Sequence, residues 1–145
     1  MKFKLDIHIE KPHADVWKAF NDIESMKKWQ PTLIKIEPLS GTQGQPGAVS
    51  RLTYKENGRE FSLTERILLR EESGQLDGVY ENAFADNIVR NTFLEQEDGS
   101  TLWVIETEYT FKTVVMKILG PLMKSNFILR TRVDMGRFKE LAESL

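Results

Sequence analysis

The chain predicts an α+β fold in which a curved antiparallel sheet of about seven strands closes around one long C-terminal helix. Three observations carry this. Strand-like alternation recurs from the N-terminus to about residue 112, Gly-containing turns join neighbouring runs, and a long segment from Val114 to Leu145 with helical apolar spacing ends the chain. A sheet and a single long helix have few ways to bury both apolar faces, and curling the sheet around the helix is the economical one. Such a grip encloses a pocket, so the arrangement bears on function as well as fold.

Phe3, Leu5, Ile7 and Ile9 alternate with Lys4, Asp6, His8 and Glu10, a half-buried strand closed by Pro12. Val16, Trp17, Phe20 and Ile23 then share a helical face. A second short turn carries Met26 and Trp29 and ends at Pro31. Ile34 and Ile36 mark the next strand, followed by a loop with Gly41, Gly44, Pro46 and Gly47. Asn57-Gly58 is a strong two-residue hairpin signal, setting Phe61 against Tyr54, Leu63 against Leu52 and Glu65 against Ser50. Read the same way, Ser73-Gly74 places Tyr80 opposite Ile67 and Asn82 opposite Glu65. Asp98-Gly99 places Leu94 opposite Trp103, Arg90 opposite Thr107 and Ile88 opposite Tyr109.

These registers define a core face. It holds Phe61, Leu63, Glu65, Ile67 and Leu69 on one strand and Trp103, Ile105, Thr107, Tyr109 and Phe111 on another. Ile88, Arg90, Thr92 and Leu94 fall on the same side. At the C-terminus, Gly120-Pro121 separates a short helix from a long one over about residues 121–144, since proline suits the first helical turn. Leu122, Leu129 and Val133 form one stripe, and Met123, Phe127, Phe138 and Leu141 a neighbouring one. Together they make a wide apolar face suited to lying in the sheet.

With 145 residues, 1–145 is expected to form one domain. The net charge of −2 gives no general attraction to nucleic acid. The absence of cysteine excludes disulfides and thiolate chemistry, and a cytoplasmic location is expected. The charged, alternating N-terminus does not read as a signal peptide, and no run approaches the roughly 20 apolar residues of a membrane span. His8 and His13 lack carboxylates at metal-binding spacing, and no phosphate loop, dinucleotide fingerprint or nucleophile elbow occurs. Neither metal nor cofactor is expected.

The element order, together with Pro12-His13-Ala14-Asp15-Val16-Trp17-Lys18-Ala19-Phe20-Asn21-Asp22 and Trp29-Gln30-Pro31, resembles the START-like superfamily. That group includes polyketide cyclase/dehydrase and lipid-transport proteins and birch-pollen-allergen relatives. The resemblance implies the helix-grip fold, with an apolar cavity between sheet and terminal helix. It leaves open lipid carriage, hormone binding, ring cyclisation, chaperone activation and ring hydroxylation.

Tyr54, Phe61, Trp103, Tyr109, Met123 and Phe127 are expected to line the pocket, with an opening near the Gly41–Gly47 loop. Trp17 and Phe20 read as packing residues, and Trp29 as either packing or a cavity lip. Glu65 and Arg90 are two charges on the core face, with Tyr80, Asn82, Thr107 and Tyr109 available to complete a polar network. Three readings apply to them: a satisfied structural pair, an anchor in which Arg90 holds an anionic ligand group, or a general base in which burial activates Glu65. The basic residues Lys117, Lys124, Arg130, Arg132, Arg137 and Lys139 read as a solvated helix face rather than a lipid-headgroup contact. The function expected is binding or carriage of a small hydrophobic or amphipathic molecule. A cyclase/dehydrase-type enzyme and a chaperone-activator-like interaction module are the alternatives.

Overall fold

A computed structural model describes residues 1–145. Strand β1 (Lys2–Ile9) leads into helices α1 (His13–Phe20) and α2 (Ile23–Trp29), followed by β2 (Leu33–Ser40), β3 (Val49–Glu56), β4 (Arg59–Glu71), β5 (Gln75–Glu81), β6 (Ala85–Glu95) and β7 (Thr101–Phe111). Helices α3 (Val114–Leu122) and α4 (Lys124–Ser144) complete the chain. The seven strands form one antiparallel sheet in the order β1-β7-β6-β5-β4-β3-β2, so the first strand crosses over to join the last. The intervening α1–α2 pair makes that crossing. Asp22 caps α2 by accepting from the Glu24 amide at 3.1 Å, satisfying one of the helix's orphan donors.

Loop length decides which side chains reach the inner face. Asn57 and Gly58 both have positive φ, 50° and 78°, as a two-residue type I′ turn requires. The expected pairs Tyr54–Phe61, Leu52–Leu63 and Ser50–Glu65 all form. The turn at Asp98-Gly99 is one residue longer than expected. Gly99 N donates to Gln96 O and Gln96 N to Ser100 O, so Glu97, Asp98 and Gly99 form a three-residue loop with glycine in the left-handed position. The whole register therefore slips by one and every β6 side chain changes face. Val89 now pairs with Thr107, Asn91 with Ile105 and Phe93 with Trp103. Arg90, Ile88, Thr92 and Leu94 lie on the outer face, contrary to expectation. Arg90 is exposed, between Asp77 and Glu106 in the register, and cannot couple to Glu65.

Two departures between β4 and β5 offset each other. The turn there is also one residue longer, with Glu71 opposite Gln75, and a bulge between Ile67 and Leu69 adds a second shift. Tyr80 thus pairs with Glu65 instead of Ile67, but the inward face of β5 is the expected one. Between bulge and turn the faces exchange. Leu69 leaves the cavity wall and Arg70 enters it. A bulge in β2 likewise buries Leu33 and leaves Ile34 exposed.

The helical break falls at Met123 (φ −91°, ψ 4°), two residues beyond the expected boundary, and Pro121 sits in the last turn of α3. Thr113 caps α3 by accepting from the Met116 amide. Only the C-terminal half of α4 is firmly seated, through buried Met135, Phe138 and Ala142. Leu122, Leu129 and Val133 are exposed, which corrects their expected place on the sheet-facing side. Phe138 is 0% exposed, with its ring edge against Phe20, Trp103 and Trp29 at centroid separations of 5.7, 5.1 and 5.4 Å. Phe138→Ala should lower the unfolding free energy by about 3–5 kcal/mol, read from the midpoint and slope of a urea titration.

Candidate ligand-binding site

The Phe138 cluster closes one end of the space between sheet and α4. Phe20 and Phe93 approach to 4.8 Å and Phe93 stacks on Trp103 at 5.6 Å, so α1, β6, β7 and α4 meet there without a gap. Trp17 packs edge-on to Phe93 and is structural, as expected. Away from this plug the single helix no longer fills the concave sheet. A cavity of about 770 Å³ remains, walled mostly by apolar side chains. That is within the range of small-molecule sites, roughly 300–1,000 Å³.

All the residues expected to line the pocket face this cavity except Arg90. Tyr54, Phe61, Trp103, Thr107 and Tyr109 come from the sheet. Met123 and Phe127 come from the α3–α4 side, with Phe127 stacked on Tyr109 at 4.9 Å. Glu65, Tyr80 and Asn82 contribute polar atoms. Trp29 is both core and wall: it is buried against Phe20 and Phe138, and its Nε1 has no hydrogen-bond partner. Asn82 has a further task, its Oδ1 accepting from the amides of Phe84 and Ala85 and thereby shaping the β5–β6 turn. Gln43, Gly44 and Gln45 of the glycine-rich loop also reach the cavity.

Several wall residues escaped the sequence reading. Asn87 and Asn91 enter through the slipped β6 register. Asn91 Oδ1 accepts from Trp103 Nε1 at 3.1 Å, whereas Asn87 Oδ1 is buried and has no partner. Arg70 enters through the β4 bulge. Its guanidinium donates to Asn21 Oδ1 at 2.9 Å and to the Gly44 carbonyl at 3.2 Å, pairs with Glu72, and lies 5.5 Å from the Trp17 ring centre. The bulge has no short sequence signature, which is why Arg70 was missed. Arg130 on α4 is bound to Glu56 at 2.6 Å and Asp134 to Arg137 at 3.2 Å. Each arginine at the cavity therefore already has a carboxylate.

Burial governs the titrating groups. It raises the Glu65 carboxyl above its ordinary range, against a smaller opposing pull from hydrogen bonding with the Tyr80 hydroxyl. Burial first and Glu65 second push Tyr80 well above a normal phenol. Burial also raises Tyr54, whose hydroxyl donates to Gln30 Oε1 at 3.1 Å, and pushes Tyr109 up to about 12. At neutral pH these phenols are uncharged donors. The wall can exchange hydrogen bonds with a guest but presents no unpaired cation to an anionic one.

At the helix side of the cavity, burial lifts the Asp134 carboxyl to about 6, with Arg137 and Arg130 opposing. The folded chain therefore holds its proton to higher pH than the unfolded chain. The stability contributed is full below the ordinary carboxyl value of 3.8 and is lost as pH rises through about 6. Asp134→Asn should remove that fall, making the variant's loss between about pH 4 and pH 7.5 smaller than the wild type's by about 1 kcal/mol once solvent screening is allowed for. Urea unfolding at the two pH values measures it.

Comparison with known proteins agrees with this geometry. Residues 1–143 match the model of the family described as polyketide cyclase / dehydrase and lipid transport. No curated protein matches the sequence. Among solved structures, Ara h 8.0201 superposes with a TM-score of 0.81 at 18% identity, covering 100% of this chain and 99% of that one. TTHA0849 from Thermus thermophilus gives 0.79 at 16%, covering 99% and 98%. The Zhui aromatase/cyclase from Streptomyces sp. R1128 gives 0.78 at 14%, covering 99% and 93%. At such identities these structures share a fold, the helix-grip. With the cavity in place and the family model spanning nearly every residue, the chain belongs to the polyketide cyclase/dehydrase and lipid transport family of the START-like superfamily.

Proposed function

We propose that this protein, as a single domain in the cytoplasm, binds and carries a small amphipathic molecule whose polar end is uncharged. The observation that supports this is the cavity itself: about 770 Å³, mainly apolar, with phenols, amides and one buried carboxyl as its polar groups. Burial of a guest's apolar surface at roughly 25 cal/mol per Å² supplies the drive. Arg70 and Arg130 are held by their own carboxylates. A carboxylate or phosphate guest would therefore lose its water without gaining a counter-ion, a costly exchange. Trp29 and Asn87 also line the cavity, and their Nε1 and Oδ1 atoms are a buried donor and acceptor left without a partner. The cavity favours this reading over an interaction module of the chaperone-activator kind, for which a filled interior would serve equally well.

A second reading is supported by one observation, the Glu65–Tyr80 pair. A buried carboxyl raised above its usual range beside a neutral phenol is a candidate acid–base couple at the wall of a cavity, as a cyclase/dehydrase-type reaction needs. Binding and turnover separate by substitution. Glu65→Gln keeps the shape and should leave affinity within about threefold, while abolishing any turnover.

The binding reading is tested by competition for an environment-sensitive dye. 2-Naphthol should displace the dye, and 2-naphthoate should do so at least about tenfold more weakly. Val89→Phe, which adds bulk to the cavity wall, should weaken both dye and naphthol about tenfold or more while leaving a cooperative thermal transition. Equal or tighter binding of the naphthoate would refute the uncharged-guest assignment. No saturable binding of dye or naphthol would refute the carrier reading as a whole.

A further inference from the structure

Helix α3 is apolar on both sides, yet only one side is covered. Its inner side carries Met116, which lines the cavity, and Gly120, where any side chain would run into the Phe111 ring. Its outer side carries Val115, Ile118, Leu119 and Leu122, at i, i+3, i+4 and i+7 spacing, exposed by 61, 64, 46 and 77%. Leu129 and Val133 are further exposed apolar residues on α4. A helix apolar all round is normally enclosed on every side, and a continuous exposed patch of this kind marks a surface that meets something else.

Charge identifies what it meets. From Tyr109 to Val133 there is no Asp or Glu, while Lys112, Lys117, Lys124, Arg130 and Arg132 all fall in that stretch of a chain whose net charge is −2. Lys112 and Arg130 are taken by Asp86 and Glu56. Lys117, Lys124 and Arg132 have no carboxylate partner among the ion pairs of the structure. An apolar stripe flanked by unpaired cations is the pattern of a helix that lies in a lipid–water interface, its leucines among the acyl chains and its lysines at anionic headgroups. A second copy fits less well. A two-fold contact through this face would bring Lys117, Lys124 and Arg132 of both copies into one interface, with no carboxylate from the stretch Tyr109–Val133 to offset them.

We propose that the outer face of α3, with the adjoining start of α4, docks on anionic lipid membranes. No helix is long and apolar enough to cross a membrane, so the contact is peripheral. Because α3 also walls the cavity through Met116, the docked face places one wall of the cavity against the bilayer. This surface stands on exposure and charge and does not depend on what the cavity holds.

The test is co-sedimentation with vesicles of phosphatidylcholine containing about a third phosphatidylglycerol, against pure phosphatidylcholine. Wild type should partition at least about tenfold more strongly onto the anionic vesicles and should be released by high salt. Ile118→Glu combined with Leu122→Glu should lose that partition while keeping its thermal transition and dye affinity, since both positions are exposed. Lys117→Gln with Lys124→Gln should weaken it by a smaller factor. Absence of wild-type binding to the anionic vesicles would overturn the proposal. So would a wild type that sediments as a dimer and becomes monomeric in the Ile118→Glu/Leu122→Glu variant, because the face would then belong to a second copy.

Discussion

The insertion of Phe138 among Phe20, Trp29 and Trp103 is the contact on which the rest of the molecule depends. It ties the long helix to the sheet at one end only. Four rings from α1, α2, β7 and α4 meet within 5.1–6.0 Å of their neighbours, a density that leaves no room for a guest. Toward Met123 the same helix runs over a sheet whose inner face is wider than one helix can cover. The cavity is the consequence of that mismatch: a fully seated helix would need more apolar bulk than α4 supplies. Met135, Phe138 and Ala142 are its buried residues, all in its second half.

The element order, the inner faces of β3, β5, β7 and β4 as far as Ile67, and part of the cavity wall were legible in the sequence because alternation survives wherever the register parity is kept. Asn57-Gly58 shows this: two residues with positive φ allow one compact turn, and every pair beyond it follows. Asp98-Gly99 carries a similar signal but belongs to a longer loop, stabilised when Asp98 Oδ1 accepts from the Ser100 amide at 3.0 Å. A single added residue then turned all of β6 over. Arg90 went outside and Asn87 and Asn91 came inside, so the chemistry assigned to a Glu65–Arg90 pair dissolves. The bulge at Leu68 was equally silent in the sequence and moved Arg70 the other way. The helix residues Leu122, Leu129 and Val133 were misplaced for a different reason. Helical spacing shows that a face is apolar, but not that anything covers it.

These two parity changes set the electrostatics of the cavity. Had β6 kept the expected register, a guanidinium would stand on the inner wall near Glu65 and an anionic guest would have a partner. In the observed register the inward β6 residues include two amides, Asn87 and Asn91. Arg70, the cation that did turn inward, is consumed in fastening α1 and the glycine-rich loop to β4 through Asn21 and the Gly44 carbonyl. Glu65 is left as a carboxyl with a phenol for company. Burial then does what it does to any acid without a counter-charge and favours the protonated form.

The same reasoning joins interior to surface at α3. A helix that walls an apolar cavity must be apolar inside, and one that also meets an apolar phase must be apolar outside. Val114–Leu122 satisfies both demands with one lysine, Lys117, among nine residues. Its attachment is slight by comparison with α4: Gly120 permits close approach to Phe111, and Thr113 caps the first turn. A segment held by so few buried groups opens at lower cost than the Phe138 end, where unseating the helix exposes several aromatic rings together. The cavity is thus bounded firmly at the aromatic plug and lightly at the helix whose outer face is apolar.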